Sequence, residues 1–141
     1  MLLFFYYWFL KNMNYYIEVL KKYAVFSGRA RRKEFWMFCL FNLLIAFAIS
    51  FVATLISSPS VGNLLGMFYS LVILLPGLAV SARRLHDTGK SAWWLLVFLI
   101  PFVGLIIFVV LMVADSTPGV NKYGPNPKES SPSVPPAPAA L

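Results

Sequence analysis

Only four residues between Phe35 and Ala114 carry formal charge: Arg83, Arg84, Asp87 and Lys90. All four stand in residues 81–91 (SARRLHDTGKS), which also hold the chain's one histidine, His86. Three kinds of chemistry can be tested against this string. Gly89-Lys90-Ser91 resembles the end of a phosphate-binding loop, but that motif needs a glycine where the chain has Arg84, and a preceding strand. His86-Asp87 resembles a metal-ligand pair, yet a site needs several more His, Asp, Glu or Cys residues. The remaining acids, Glu18, Glu34, Asp115 and Glu129, are scattered. Ser91, His86 and Asp87 include the residue types of a nucleophile, base and orienting acid, but neighbouring turn positions read more simply as a hydrogen-bonded loop. No catalytic, metal or cofactor-binding residue is assigned, and a non-enzymatic protein is expected.

The surviving chemistry is that of the basic groups. Arg29, Arg31 and Arg32 with Glu34 form one cluster, and Arg83, Arg84, His86, Asp87 and Lys90 form another. These nine residues are the candidate contacts for an anionic lipid headgroup or a protein partner, since basic pockets at a cytoplasmic membrane face bind such groups. Topology signalling and headgroup anchoring are the simpler roles for the same side chains.

The elements that must position them are apolar. Hydrophobic residues make up 60% of the 141, and charged residues 12%, against about 25% charged in a soluble domain. Residues 35–56, 61–80 and 92–114 are uncharged runs, each of the roughly 20 residues needed to cross a hydrocarbon core about 30 Å thick. They lack the alternation of barrel strands, and helices leave no backbone group unpaired in lipid. The expected fold is an all-α integral membrane protein with three transmembrane helices. An N-terminal amphipathic helix is expected over 14–26, where Tyr16, Val19, Leu20, Tyr23 and Phe26 share a face suited to the headgroup layer.

Charge then orients the chain. Ten basic residues lie before the first run or between the second and third, against Lys122 and Lys128 in the tail and none in residues 57–60. The positive-inside rule puts the N-terminus and residues 81–91 in the cytoplasm, and the short turn and the C-terminus outside. Phe35-Trp36 and Trp93-Trp94 suit the interface, and Gly89 with Ser91 fits a helix stop followed by an N-cap. Pro76 and Pro101 should kink their helices. Gly62 and Gly66 allow close helix approach. Asn42 is the strongly polar side chain deepest in an apolar run, expected to bond across helices. Cys39 reads as a small buried hydrophobe. Residues 1–12 look like an over-extended start ahead of Met13, residues 13–34 a cytoplasmic segment, residues 35–114 the membrane domain and residues 115–141 a disordered, Pro-rich tail.

Three blocks carry a family resemblance: residues 26–36 (FSGRARRKEFW), 84–94 (RLHDTGKSAWW) and 117–127 (TPGVNKYGPNP). In order and spacing they resemble the YhaH-type bacterial inner-membrane proteins, domain of unknown function 805, from about Met13 to Lys128. The resemblance implies a small multi-pass protein of the bacterial inner membrane, and no substrate or catalytic residue. The expected function is contact with membrane lipids, anionic headgroups included, or with another membrane protein or a second copy, and not with nucleic acid. A subunit of a small channel or transporter is the alternative.

Overall fold

Residues 1–129 are described by a computed structural model, and no strand forms among them; an isolated bridge joins Asn121 and Gly124. The elements are α1 (Leu2–Lys21), α2 (Arg32–Ile56), α3 (Pro59–Asp87), a 3-10 segment (Ala92–Leu99) and α4 (Val103–Val113). At 1.5 Å per residue, the 25 residues of α2 and 29 of α3 reach about 38 and 44 Å. Both exceed the roughly 30 Å of a hydrocarbon core, and these two helices are long and apolar enough to cross a membrane.

α2 and α3 form an antiparallel pair. The turn between them is set by Ser58, whose Oγ accepts the Val61 N–H at 3.4 Å, and by Pro59 in the first helical turn, where a missing N–H costs nothing. Gly62 and Gly66 serve this pair. A Cβ on Gly62 would stand 2.7 Å from the Ser50 carbonyl oxygen, and one on Gly66 2.7 Å from Ser50 Oγ. Away from the contact, Leu43, Phe47 and Val72 are 68%, 67% and 72% exposed, part of an extended apolar surface of the kind that marks a membrane or protein contact.

The core gathers at the other end, where Val19, Phe35, Phe38, Val80, Leu85, Phe108 and Met112 pack together. α1 reaches it through Val19 and Tyr16, whose ring stacks on Phe38 at 5.6 Å. The helix expected over 14–26 instead begins at Leu2 and ends at Lys21. Phe9, Asn12, Tyr16 and Val19 continue one helical face back into the apolar start. Bonds from Tyr23 N–H to Leu20 O and Val25 N–H to Lys22 O close the end as turns.

The third expected span is corrected. Residues 92–114 fold as two arms, not one crossing helix. The arms are about 16 Å of 3-10 helix and about 17 Å of α-helix. Between them Val103 N–H donates to Pro101 O at 2.6 Å, with Phe102 at φ +57°, a γ-turn. Pro101 has no N–H to continue a helix, and Gly104 lets the returning arm lie against the Val97 carbonyl. The ends of the hairpin meet at α3: Ser91 follows it directly, and Ala114 O accepts from Arg84. Tail and basic segment therefore share one end of the α2–α3 pair, contrary to the expectation that they lie on opposite sides.

Two further expectations change. Residues 81–87 are the last turns of α3, not a loop. The helix ends in a Schellman motif, with Lys90 N–H bonded to Leu85 O at 2.9 Å and Gly89 N–H to His86 O at 3.0 Å around Gly89 at φ +75°. Residues 115–129, expected to be disordered, pack against α3. Their carbonyls and amides find partners there, whereas composition alone registers only the prolines and glycines. Residues 130–141 lie outside the described residues.

Candidate functional site

At the capped end of α3 every residue from Ser81 to Asp87 is buried. Asp87 is the centre. Its Oδ1 accepts from Arg29 Nε at 2.9 Å, and its Oδ2 accepts from Arg84 Nη1 and from Ser116 Oγ, the latter at 2.5 Å. The side chains of Arg29, Arg84 and Asp87 are 1%, 0% and 0% exposed. A buried ion group is tolerated only when its remaining donors are satisfied. Here backbone carbonyls do so. Arg29 donates to Thr117 O at 2.6 Å, Gly119 O at 2.9 Å and Gly124 O at 3.3 Å. Arg84 donates to Met112 O at 3.1 Å, Ala30 O at 3.5 Å and Ala114 O.

Those acceptors include the last carbonyls of α4. A helix C-terminus leaves carbonyls unpaired and carries partial negative charge, so cations there are stabilising. Arg32 adds to the effect, donating to Val113 O at 3.1 Å and pairing with Asp115 at 2.8 Å. Lys128, the Ser116 N–H and Arg32 hold the exposed Asp115 carboxyl well below the usual carboxylate range.

Around this lock the three sequence blocks interleave. Ala30 N–H donates to Arg83 O at 3.0 Å, and Arg83 pairs with Glu34 at 3.0 Å. Arg83 Nη2 has no partner among the described residues. His86 Nδ1 lies 3.2 Å from Gly28 O, which can only accept, so the proton sits on Nδ1. Its ring stacks on Tyr123 at 3.8 Å and 7°. Asn121 Nδ2 donates to His86 O at 3.0 Å and Thr117 Oγ1 at 2.9 Å.

The expected contact residues therefore divide. Arg29, Arg83, Arg84 and Asp87 turn inward and hold the protein together, Glu34 pairs with Arg83, and His86 lies under Tyr123. The physical reason is the return of residues 112–124, which supplies carbonyls and covers the end of α3. Arg31 and Lys90 remain partly exposed, as does Arg32. Lys90 Nζ lies 5.9 Å from the Trp94 ring. Ser91 Oγ caps Trp93 N–H at 3.4 Å, while Asp87 faces the arginines, so Ser91, His86 and Asp87 have separate partners.

Asn42 lies deeper. Its Oδ1 accepts from Tyr69 at 2.6 Å and Tyr16 at 3.3 Å, and its Nδ2 donates to Phe38 O at 2.8 Å, so one amide links α1, α2 and α3. Beside it, a cavity of about 410 Å³ is lined by Cys39, Ile73, Phe98 and Phe108. Sequence reasoning places Tyr16 on an interfacial helix face rather than on Asn42, and it does not single out Tyr69, Ser116, Thr117, Asn121 or Tyr123. The last three lie in the third block, whose distinctive string was their only signal.

The family model described as "Protein of unknown function (DUF805)" matches residues 23–125, beginning just after α1 and spanning all three blocks. Inner membrane protein YhaH of Escherichia coli (strain K12) is 46% identical over 118 residues, covering 82% of this chain and 98% of that protein. Inner membrane protein YhaI of the same organism is 43% identical over 119 residues, covering 84% and 99%. No solved structure matches.

Proposed function

The chain belongs to the DUF805 family, and from that premise we propose that it is a multi-pass inner-membrane protein whose rigid cytoplasmic cap works by contact with lipid headgroups and membrane-protein partners. In this reading α2 and α3 cross the bilayer, residues 92–114 enter it and return, and α1 lies in the interface. Both the basic N-terminal segment and the cap residues 115–129 face the cytoplasm. Charge supports this orientation. With Lys122 and Lys128 on the returning side, the asymmetry of ten basic residues to two becomes all twelve to none.

The observation that carries the reading is the Arg29–Asp87–Arg84 lock, which with the Arg29 bonds to Thr117, Gly119 and Gly124 joins all three blocks at one end of the α2–α3 pair. Ordering three segments costs about 1–2 kcal/mol of backbone entropy per residue, so a buried charge network there points to a surface whose shape matters. Arg31, Lys33, Lys90 and Lys122 form its accessible basic rim. The channel alternative draws on the prolines of the apolar runs, on Asn42 and on the basic clusters; the Asn42 amide is engaged by Tyr16, Tyr69 and Phe38 O, and Arg29 and Arg84 are held by Asp87, arrangements that support packing.

A single cysteine at Val120, 79% exposed, in a Cys39→Ser background tests both parts. An impermeant maleimide should label it in inverted membranes and not in intact spheroplasts. A photoactivatable crosslinker on the same thiol should give lipid or membrane-protein adducts. Labelling from the outside, or adducts no different from those at Leu55, would overturn the proposal.

A further inference from the structure

A second groove lies on the other face of the hairpin, between α3 and the 3-10 segment. It has a volume of about 420 Å³, and its walls include Leu78, Ala82, His86, Leu96 and Tyr123. Leu78, Ala82 and His86 are spaced four residues apart, so they form one stripe of α3 climbing about 12 Å from apolar depth to the polar cap. Leu96 lies at the apolar end, and Ser91 and His86 at the polar one.

Charge is distributed along the same gradient. Lys122 Nζ sits 4.9 Å over the Tyr123 ring, which stacks on His86, and Lys90, next to Ser91, lies 5.9 Å from Trp94. Neither lysine makes an ion pair among the described residues. The cap's acids are engaged elsewhere: Asp87 by Arg29 and Arg84, Asp115 by Arg32 and Lys128, and Glu129 by Asn126. Two unneutralised cations therefore flank the polar end of an apolar slot, Lys122 over the lining residue Tyr123 and Lys90 next to the lining residue Ser91. Trp93 and Leu96, 77% and 54% exposed, place the mouth of the slot in apolar surroundings at the interface. A soluble anion has no use for such a slot. An amphiphile fits both ends.

We infer that this groove seats one anionic phospholipid, an acyl chain along Leu78, Ala82 and Leu96 and the phosphate between Lys122 and Lys90 beside His86. The inference rests on the cytoplasmic-cap reading above and names one of its contacts.

The test is native mass spectrometry of the full chain with equimolar phosphatidylglycerol and phosphatidylcholine. The wild type should retain phosphatidylglycerol preferentially. Removing both charges in Lys90→Gln/Lys122→Gln should lower that preference about thirtyfold, from a contribution near 1 kcal/mol per lysine. Ala92→Phe, which narrows the slot, should lower retention of both lipids. Arg31→Gln/Lys33→Gln, at residues that neither line the groove nor adjoin its lining residues in sequence, should change retention less. Unchanged preference in Lys90→Gln/Lys122→Gln, with a loss in Arg31→Gln/Lys33→Gln, would overturn the groove while leaving the cap a lipid-binding face. Equal retention of both lipids by every chain would overturn the groove as an anionic-lipid seat, and no retention of either lipid would overturn lipid contact by the cap as well.

Discussion

Replacing Asp87 with asparagine removes one charge from the centre of the cap and keeps the side chain's shape. Asp87 is the sole anion between Arg29 and Arg84, and all three side chains are at most 1% exposed. Breaking a buried ion pair by removing one partner costs about 3–5 kcal/mol, because the remaining charge stays buried. The low end applies here, since an amide oxygen still accepts from one arginine and the carbonyls of Thr117, Gly119 and Met112 remain in place. At 1.36 kcal/mol per decade, about 3 kcal/mol lowers the stability of the docked tail by roughly 150-fold. Hydrogen exchange reads this directly. The Thr117 N–H is bonded to the backbone oxygen of Asp87 at 2.9 Å, a contact that Asp87→Asn leaves chemically intact. Its protection should fall by about two orders of magnitude, while amides in the middle of α2 should not change. Adding Arg29→Gln removes one excess cation and should restore part of that loss. A decrease in protection below about threefold in Asp87→Asn, less than 1 kcal/mol, would refute the claim that this charge group holds the cap together.

Two further substitutions test the helices beneath it. Gly62→Ala should cost about 1–3 kcal/mol of thermal stability in detergent and Gly66→Ala less, because the first methyl meets the backbone oxygen of Ser50 and the second only its mobile hydroxyl; equal costs would refute the close-packing account. Phe102→Gly should strengthen the hairpin turn by about 1 kcal/mol through relief of φ +57°, seen as slower exchange of the Gly104 N–H bonded to Ile100 O at 2.9 Å; faster exchange would show that the exposed ring, not the backbone, sets the turn.

Where a signal was local, the sequence was readable. Uncharged runs located α2 and α3, Gly89 and Ser91 marked a helix stop and the next start, and Asn42 reads correctly as a cross-helix bond. The glycine pair spoke for close approach without saying to what. The hairpin was invisible to hydropathy because a returning segment and a crossing one are equally apolar; only Pro101 hinted at the break, and proline also occurs in kinked spans. Burial of Arg29, Arg83 and Arg84 was equally hidden. A charge count treats every arginine as solvated, whereas these three are covered by residues far away in sequence. The prolines and glycines of residues 115–129 read as disorder because the order of this segment comes from long-range contacts, the Thr117, Gly119 and Gly124 carbonyls accepting from Arg29 and Tyr123 stacking on His86.

The length of α3 and the return of the hairpin then share one explanation. In the proposed topology about 20 residues of α3 would cross a hydrocarbon core, which leaves some nine of its 29, and Arg83, Arg84, His86 and Asp87 at its end would fall in that excess. At that depth a guanidinium need not be dragged through lipid, only paired. If residues 92–114 instead crossed as one helix, Thr117, Gly119 and Gly124 would leave with the tail, and Arg29 would lose three carbonyl acceptors together. Arg84 would lose Met112 and Ala114, and Asp87 would lose Ser116. Each unsatisfied buried donor costs on the order of 1–3 kcal/mol, more when charged. Against that penalty stands a γ-turn strained by about 1–3 kcal/mol at Phe102. In the proposed topology the arginines would thus act twice: as positive charge that resists transfer across the bilayer, and as donors satisfied by the returning chain.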